Sequence, residues 1–276
     1  MNVVGMDINA KTRVLASIGH PIGHSLSPLM HNAAFQRMGL NFVFLAFDVT
    51  NLKAALGSMR SLDFLGYSVT MPHKQGAMKY LDRIDPLAAK IQAVNTVVNR
   101  NGMLVGYNTD SPAAIKALKD KAEIRGKKIV LVGAGGAARA IALGLQQEGA
   151  ETTILDTVFQ KAKSLAKAAG CGYLAIEKLG TLEPDILINA TPVGMFPNVR
   201  ETPVPKKMLR EGMVVFDIVY NPLETLLLKN AKESGCLTVS GAEMFVEQGA
   251  LQFELWTGEK APRQLMHDVV IGELSK

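Results

Sequence analysis

Lys127-Lys128-Ile129-Val130-Leu131-Val132-Gly133-Ala134-Gly135-Gly136-Ala137-Ala138 decides the architecture of this chain. The apolar run Ile129–Val132 reads as a strand buried on both faces, the kind found in parallel sheets. It leads directly into G-x-G-x-x-A and then into a helix-like segment ending near Glu148. Gly133 permits the tight turn, Gly135 lets the backbone approach a pyrophosphate, and Ala138 allows helix and strand to pack closely. Ala134, Gly136 and Ala137 complete the phosphate-facing loop. A second apolar run ends at Asp156, at the spacing where a carboxylate accepts hydrogen bonds from an adenosine ribose 2′-hydroxyl. A carboxylate there repels a 2′-phosphate. Thr157, Val158 and Phe159 bring no arginine to offset that repulsion, and Lys161 is the nearest following cation. The pattern predicts a dinucleotide-binding domain that takes NAD in preference to NADP.

Working outward, 276 residues indicate about two domains at ~150 residues each, and 48% apolar content is enough for two cores. The net charge of +5 comes from basic residues scattered singly or in pairs. Nucleic acid is therefore not an expected partner, whereas small anionic ligands are. Cys171 and Cys236 are the only cysteines, a usage that fits a reduced compartment, and the N-terminus lacks a basic stretch leading into an apolar signal core. The expected location is the cytoplasm. The uncharged stretch Val14–Gln36 contains two prolines, three histidines and an asparagine, which exclude it as a membrane span.

Short apolar runs alternate with helix-like segments, which predicts an α/β fold with a largely parallel sheet. Strands are expected near Val14–Ile18, Phe42–Phe47, Gly66–Thr70, Ile129–Val132, Thr152–Leu155, Ile186–Asn189, Val214–Asp217 and Leu237–Val239. Where several of them end, a polar residue stands at or just before a proline: Ser27-Pro28, Thr70-Met71-Pro72, Ser111-Pro112, Thr191-Pro192 and Asn221-Pro222. Proline suits the first helical position, and the residue before it caps free N–H groups, so each is read as a helix start. Such starts beyond strand carboxyl ends are candidate walls of a ligand cleft. Met6, Met71, Met195 and Met244 read as packing residues. His20, His24 and His31 match no closed zinc spacing, so no metal is expected, and His24 is read as bracing the neighbouring serine loop.

A hydride-transfer enzyme also needs proton-transfer groups beside the reacting carbon. Lys74, in Thr70-Met71-Pro72-His73-Lys74, is expected one turn inside a helix, and Asp110, in Gly106-Tyr107-Asn108-Thr109-Asp110, at another helix start. If both face the cleft, they form a pair able to relay a proton.

Here the chain resembles the shikimate dehydrogenases and their quinate/shikimate dehydrogenase relatives. The resemblance is carried by Gly19-His20-Pro21-Ile22-Gly23-His24-Ser25-Leu26-Ser27-Pro28 with His31-Asn32, Val69–Lys74, Ala93-Val94-Asn95-Thr96, Gly106–Asp110 and the Gly133–Ala138 loop. It continues through Asn189–Met195, Asp217–Pro222 and a tail with Gln248 and Gln252. It implies a three-layer α/β substrate-binding catalytic domain formed by residues 1–110 and 244–276. Residues 111–243 would form an inserted Rossmann-like doubly wound NAD(P) domain, with the cleft between the two.

By that resemblance Ser25 and Ser27 meet the substrate carboxylate, with Tyr220 near it. Thr70, Asn95 and Gln248 fall around the ring hydroxyls, Gln252 stands behind them, and Lys74 and Asp110 are catalytic. Thr191, Met195, Val219, Gly241 and Met244 fall along the cofactor. The implied activity is an NAD(P)-dependent alcohol dehydrogenase that interconverts 3-dehydroshikimate and shikimate on the route to chorismate and the aromatic amino acids. The family contains monomers and homodimers. Hydroxyl and amide side chains suit a polyol acid, because each can donate and accept. Which of Lys74 and Asp110 is formally the base stays open, since a coupled pair titrates jointly.

The chain departs from the family pattern at Ser68, where Asn is more frequent, at Gln92, where Gly is common, and at Ser111-Pro112. Asp156-Thr157 stands where NADP-using members carry Asn-Arg; with Met71 it tilts the chain toward the NAD-using, quinate-tolerant branch. Two alternatives remain: an NAD-dependent quinate/shikimate dehydrogenase of broader specificity, and a catalytically inactive dinucleotide-binding sensor.

Overall fold

The computed structural model describes residues 8–276, so Met6 lies outside the described residues. The chain divides into two compact units. One runs to Thr109 and resumes over Gln248–Glu273, and the other comprises Asp110–Glu247 with Leu274–Lys276.

The first unit contains β1 (Arg13–Gly19), α1 (Ser27–Arg37), β2 (Phe42–Asp48), α2 (Leu52–Ser61), β3 (Gly66–Val69), β4 (Arg83–Ile84), α3 (Pro86–Ile91), β5 (Thr96–Arg100) and β6 (Met103–Tyr107). Its six-stranded sheet has the order β2-β1-β3-β5-β6-β4. β1 pairs in parallel with β2 and β3, but β3–β5 and β5–β6 are antiparallel, so this sheet is mixed. The cause is local. Asn101 and Gly102 have φ of 55° and 89°, the left-handed pair of a tight hairpin turn, and β5 therefore folds straight back into β6. This hairpin, β4 and the later strand Gly172–Ala175 are not among the expected strands.

The second unit contains α4 (Asp110–Lys119), β7 (Lys128–Val132), α5 (Gly136–Gln147), β8 (Glu151–Asp156), α6 (Phe159–Ala169), β9 (Gly172–Ala175), β10 (Ile186–Asn189), β11 (Val214–Asp217), α7 (Leu226–Glu233) and β12 (Leu237–Ser240). All its strand pairs are parallel, in the order β9-β8-β7-β10-β11-β12. Numbered within the unit this is 3-2-1-4-5-6, the doubly wound nucleotide-binding order. Helix α8 (Gly241–Thr257) begins in this unit and ends in the first, where α9 (Arg263–Leu274) follows.

In the first unit, Leu15, Ile18, Met30, Phe35, Phe44, Tyr67, Leu104 and Phe253 are fully buried. Trp256 on α8 donates from Nε1 to Val97 O at 3.0 Å and lies against Gly66, where any Cβ would collide with its indole. Met244 is buried as expected of a packing residue, but Met71 is 54% exposed and packs into no core. Among the described residues, no helix is long and apolar enough to cross a membrane.

The reading of polar–proline pairs as helix starts needs correction. Only Pro28 and Pro112 fall in the first turn of a helix, and in α1 the cap position is Leu26, which makes no side-chain cap bond. Pro72 and Pro222 follow cis peptides in non-helical backbone, and Pro192 lies in a bend. Thr191 has its hydroxyl engaged locally, donating to Asn189 Oδ1 at 2.7 Å and accepting from Val193 N at 3.2 Å. Short polar side chains compete for nearby backbone in this way and favour turns as readily as caps. The signature does hold at Asp85-Pro86, where the Asp85 side chain accepts from Leu87 N at 2.9 Å.

Candidate active site

In the second unit, β7 delivers the chain to Gly133 at φ +112°, where a Cβ would lie 2.8 Å from Ala190 O. Glycine is therefore required by both backbone angle and space. Gly135, the cap of α5, has no side-chain cap bond and nothing within 4 Å of a Cβ position. The backbone that opens this twelve-residue helix thus carries no side chain at its cap to stand in the way of a pyrophosphate, the group that helix N-termini receive. Ala138 is fully buried between α5 and the sheet. Asp156, at the end of β8, accepts from Ala134 N at 2.8 Å and from Val158 N at 2.7 Å. Its carboxylate thereby ties the glycine loop to the start of α6, and roughly half its lone pairs remain for a ribose hydroxyl. This chain's residues fit a bound dinucleotide.

A polar network unrecognised in the sequence supports the next two strand ends. Asn189 Nδ2 donates to Asp217 Oδ1 at 2.9 Å, and Thr225 Oγ1 donates to Asp217 Oδ2 at 2.6 Å. Val219 N reaches Asp217 Oδ1 at 3.1 Å, while Asn189 Oδ1 accepts from Thr191 N at 3.0 Å. Burial pushes the Asp217 carboxyl up to about 6, against the opposing pull of the Thr225, Val219 and Asn189 bonds. Asn189 and Asp217 thus shape the turns that carry Thr191 and Val219. Gly241 sits so close to Ile218 O that no side chain fits there. Met195 is half-buried. Tyr220 stacks on Phe245 with centroids 4.4 Å apart, and burial raises its hydroxyl to about 12, which keeps it neutral. Asp110 opens α4 and is 4% exposed.

In the first unit a second network centres on Asn95. Its Nδ2 donates to Thr109 Oγ1 at 2.9 Å and approaches Gln248 Oε1 at 3.5 Å. Its Oδ1 accepts from Thr109 N and Thr96 Oγ1, both at 2.8 Å. Gln252 Nε2 is within reach of Thr96 Oγ1, Asn95 O and Ser68 Oγ, at 3.0, 3.1 and 3.2 Å. Lys74 stands beside this cluster, its carbonyl accepting from Val94 N at 2.9 Å. Thr70 joins through the adjoining backbone, where Val69 N donates to Asn95 O at 2.8 Å. Ser25 and Ser27 form a separate small group, with Ser27 N donating to Ser25 Oγ at 3.3 Å.

Two expectations fail here. Lys74 lies in a turn before the 3₁₀ segment Gly76–Tyr80, not inside a helix, because His73 N closes back onto Thr70 O at 2.8 Å. His24 is exposed and makes no hydrogen bond among the described residues; the serine loop is held by Ser25 N bonding Ile22 O at 2.9 Å. His20 instead pairs with Asp48. The sequence reading missed Ser68, Thr96 and Thr109 in one network and Asn189, Asp217 and Thr225 in the other. The one available signal was a polar residue interrupting or ending an apolar run.

Known proteins similar to this chain span nearly its whole length. Residues 17–97 match the family described as shikimate dehydrogenase substrate binding domain, 115–222 the shikimate / quinate 5-dehydrogenase family, and 241–271 the shikimate 5′-dehydrogenase C-terminal domain. A relative from Moorella thermoacetica, named shikimate dehydrogenase (NADP(+)), is 45% identical over 96% of this chain and 95% of its own length. A shikimate dehydrogenase solved in complex with NADP+ superposes with a TM-score of 0.93 at 43% identity, covering 99% of both chains. The Listeria monocytogenes shikimate 5-dehydrogenase, solved with shikimate and NAD, gives a TM-score of 0.88 at 38% identity, covering 98% of this chain and 100% of its own. With identity of this order over nearly the whole length, the chain belongs to the shikimate dehydrogenase family.

Proposed function

We propose that this protein catalyses the reversible oxidation of shikimate to 3-dehydroshikimate with a nicotinamide dinucleotide, NAD in preference to NADP. The observation that carries the substrate reading is the Asn95 network, in which neutral amides and hydroxyls are linked to one another. Such groups match a ring whose polar surface is hydroxyl rather than charge. Ser25 and Ser27 receive the carboxylate, and Thr70, Asn95 and Gln248 hold ring hydroxyls, with Gln252 behind them and Tyr220 donating near the carboxylate. A bound dinucleotide would supply the hydride acceptor for the substrate carbinol carbon. Lys74 and Asp110 take the hydroxyl proton as the carbonyl forms; in reverse they return it, and Lys74 stabilises alkoxide character.

The preference for NAD rests on Asp156. Two backbone N–H bonds hold its carboxylate at the end of β8, and the exposed Thr157, Val158 and Phe159 bring no cation to offset its repulsion of a 2′-phosphate. Steady-state kinetics with each dinucleotide test this. kcat/KM is expected to favour NAD by about tenfold or more, and equal or better use of NADP overturns the preference. Assaying shikimate and quinate side by side tests the substrate; faster turnover of quinate would move the chain to the broader-specificity reading.

A further inference from the structure

His31 is the only described histidine that is fully buried. It lies on α1 with its ring stacked on Phe44 at 4.5 Å and edge-on to Trp256 at 5.3 Å. A Cβ at Gly249 would lie 3.6 Å from His31 Nε2. Gly249 and Trp256 are two turns apart on one face of α8, and Gln252 lies between them on that face, since residues three and four apart in a helix are neighbours. His31 therefore spans the stretch of α8 that carries Gln252. Both His31 ring nitrogens and Gln252 Oε1 are buried polar atoms without a hydrogen-bond partner. A neutral imidazole carries one N–H and an amide oxygen only accepts, so the two groups are complementary. Burial drives the His31 ring down to about 3, with the neighbouring Gln252 side chain pulling the other way, so the ring is neutral at any working pH.

We propose that His31 is a positioning residue of the substrate site, its neutral ring donating an N–H to Gln252 Oε1 and so fixing which way that amide faces the Asn95 network. The proposal rests on the shikimate dehydrogenase reading above. With the amide held this way, Nε2 meets Asn95 O, a carbonyl that only accepts, at 3.1 Å. A flipped amide would set two carbonyl oxygens against each other. Nε2 also donates to Thr96 Oγ1, which leaves the threonine proton for Asn95 Oδ1. Asn95 Oδ1 is then filled by Thr96 and Thr109, and Nδ2 is turned toward Thr109 Oγ1 and Gln248. The proton on one buried imidazole thereby sets the orientation of an amide two hydrogen bonds beyond Gln252.

His31→Leu, which removes the donor and keeps an apolar side chain, is expected to lower kcat/KM for shikimate by about tenfold or more while the dinucleotide KM stays within about twofold. His31→Gln or His31→Asn, which place an amide N–H at the reach of Nε2 or Nδ1, should recover most of that loss. Adding Gln252→Leu to His31→Leu should cost no more than Gln252→Leu alone. A folded His31→Leu protein with unchanged shikimate kcat/KM overturns the proposal, as does equal loss in all three His31 variants. The unmodified protein gives an independent readout: with 15N-labelled histidine, one His31 ring proton should resist exchange with solvent, and a freely exchanging ring overturns the assignment even if the variants fail to fold. If the unmodified chain does not oxidise shikimate, the functional reading fails, and the ring-proton measurement still decides the His31–Gln252 bond.

Discussion

Lys74 stands half-buried in a turn whose backbone is held by Val94 N donating to Lys74 O and His73 N donating to Thr70 O. Lys74→Ala should therefore fold normally, lower kcat by about 10²–10⁴-fold and leave the dissociation constant for NAD nearly unchanged. Stopped-assay turnover and dinucleotide fluorescence titration check the two halves, and undiminished turnover would refute the proposed role. At the same scale, the role proposed for Asp156 in cofactor choice is open to test. Asp156→Asn combined with Thr157→Arg replaces repulsion by a guanidinium fork suited to a phosphate, and should move the NADP/NAD ratio of kcat/KM upward by about 10–100-fold. The sequence made both residues legible as candidates. It misjudged the backbone around Lys74, because a proline after a polar residue reads alike in a turn and in a helix.

Helix α3 shows how one residue's backbone controls an element. It ends at Gln92, which has φ 58° and ψ 36°, the left-handed conformation usually given to glycine. Gln92 is exposed, so Gln92→Gly relieves the strained angle without opening a cavity and should stabilise the protein by about 1 kcal/mol, measured by denaturant unfolding. The sequence flagged the departure from glycine here, and the fold supplies the reason it matters. The opposite change at Gly66 acts through space. Gly66→Ala drives a methyl into the Trp256 indole and should destabilise by about 1–3 kcal/mol, lowering Tm and exposing the tryptophan to fluorescence quenchers. Nothing in the neighbourhood of Gly66 along the chain announces this contact, because Trp256 arrives from α8.

Across the whole molecule, Asp217 links stability to pH. Its folded pKa of about 6 stands above its ordinary 3.8, so its contribution to stability is full below 3.8 and is lost as pH rises through 6. Relative to Asp217→Asn, the unmodified protein should lose about 3 kcal/mol at most between pH 4 and pH 7, read from paired denaturation curves. A flat difference would show that the carboxyl titrates normally in the fold. The sequence by itself determined the alternation of strands and helices, the parallel sheet of the second unit and the glycine loop with its acid. These are written in local periodicity and in turn residues whose backbone geometry is intrinsic. Only the tertiary structure decided the polar networks, in which Gln252 bonds Ser68, Asn95 and Thr96, and Asp217 bonds Asn189 and Thr225. A buried polar group must find a partner wherever the fold brings one near, and that choice is made by packing between distant segments rather than by the residues on either side.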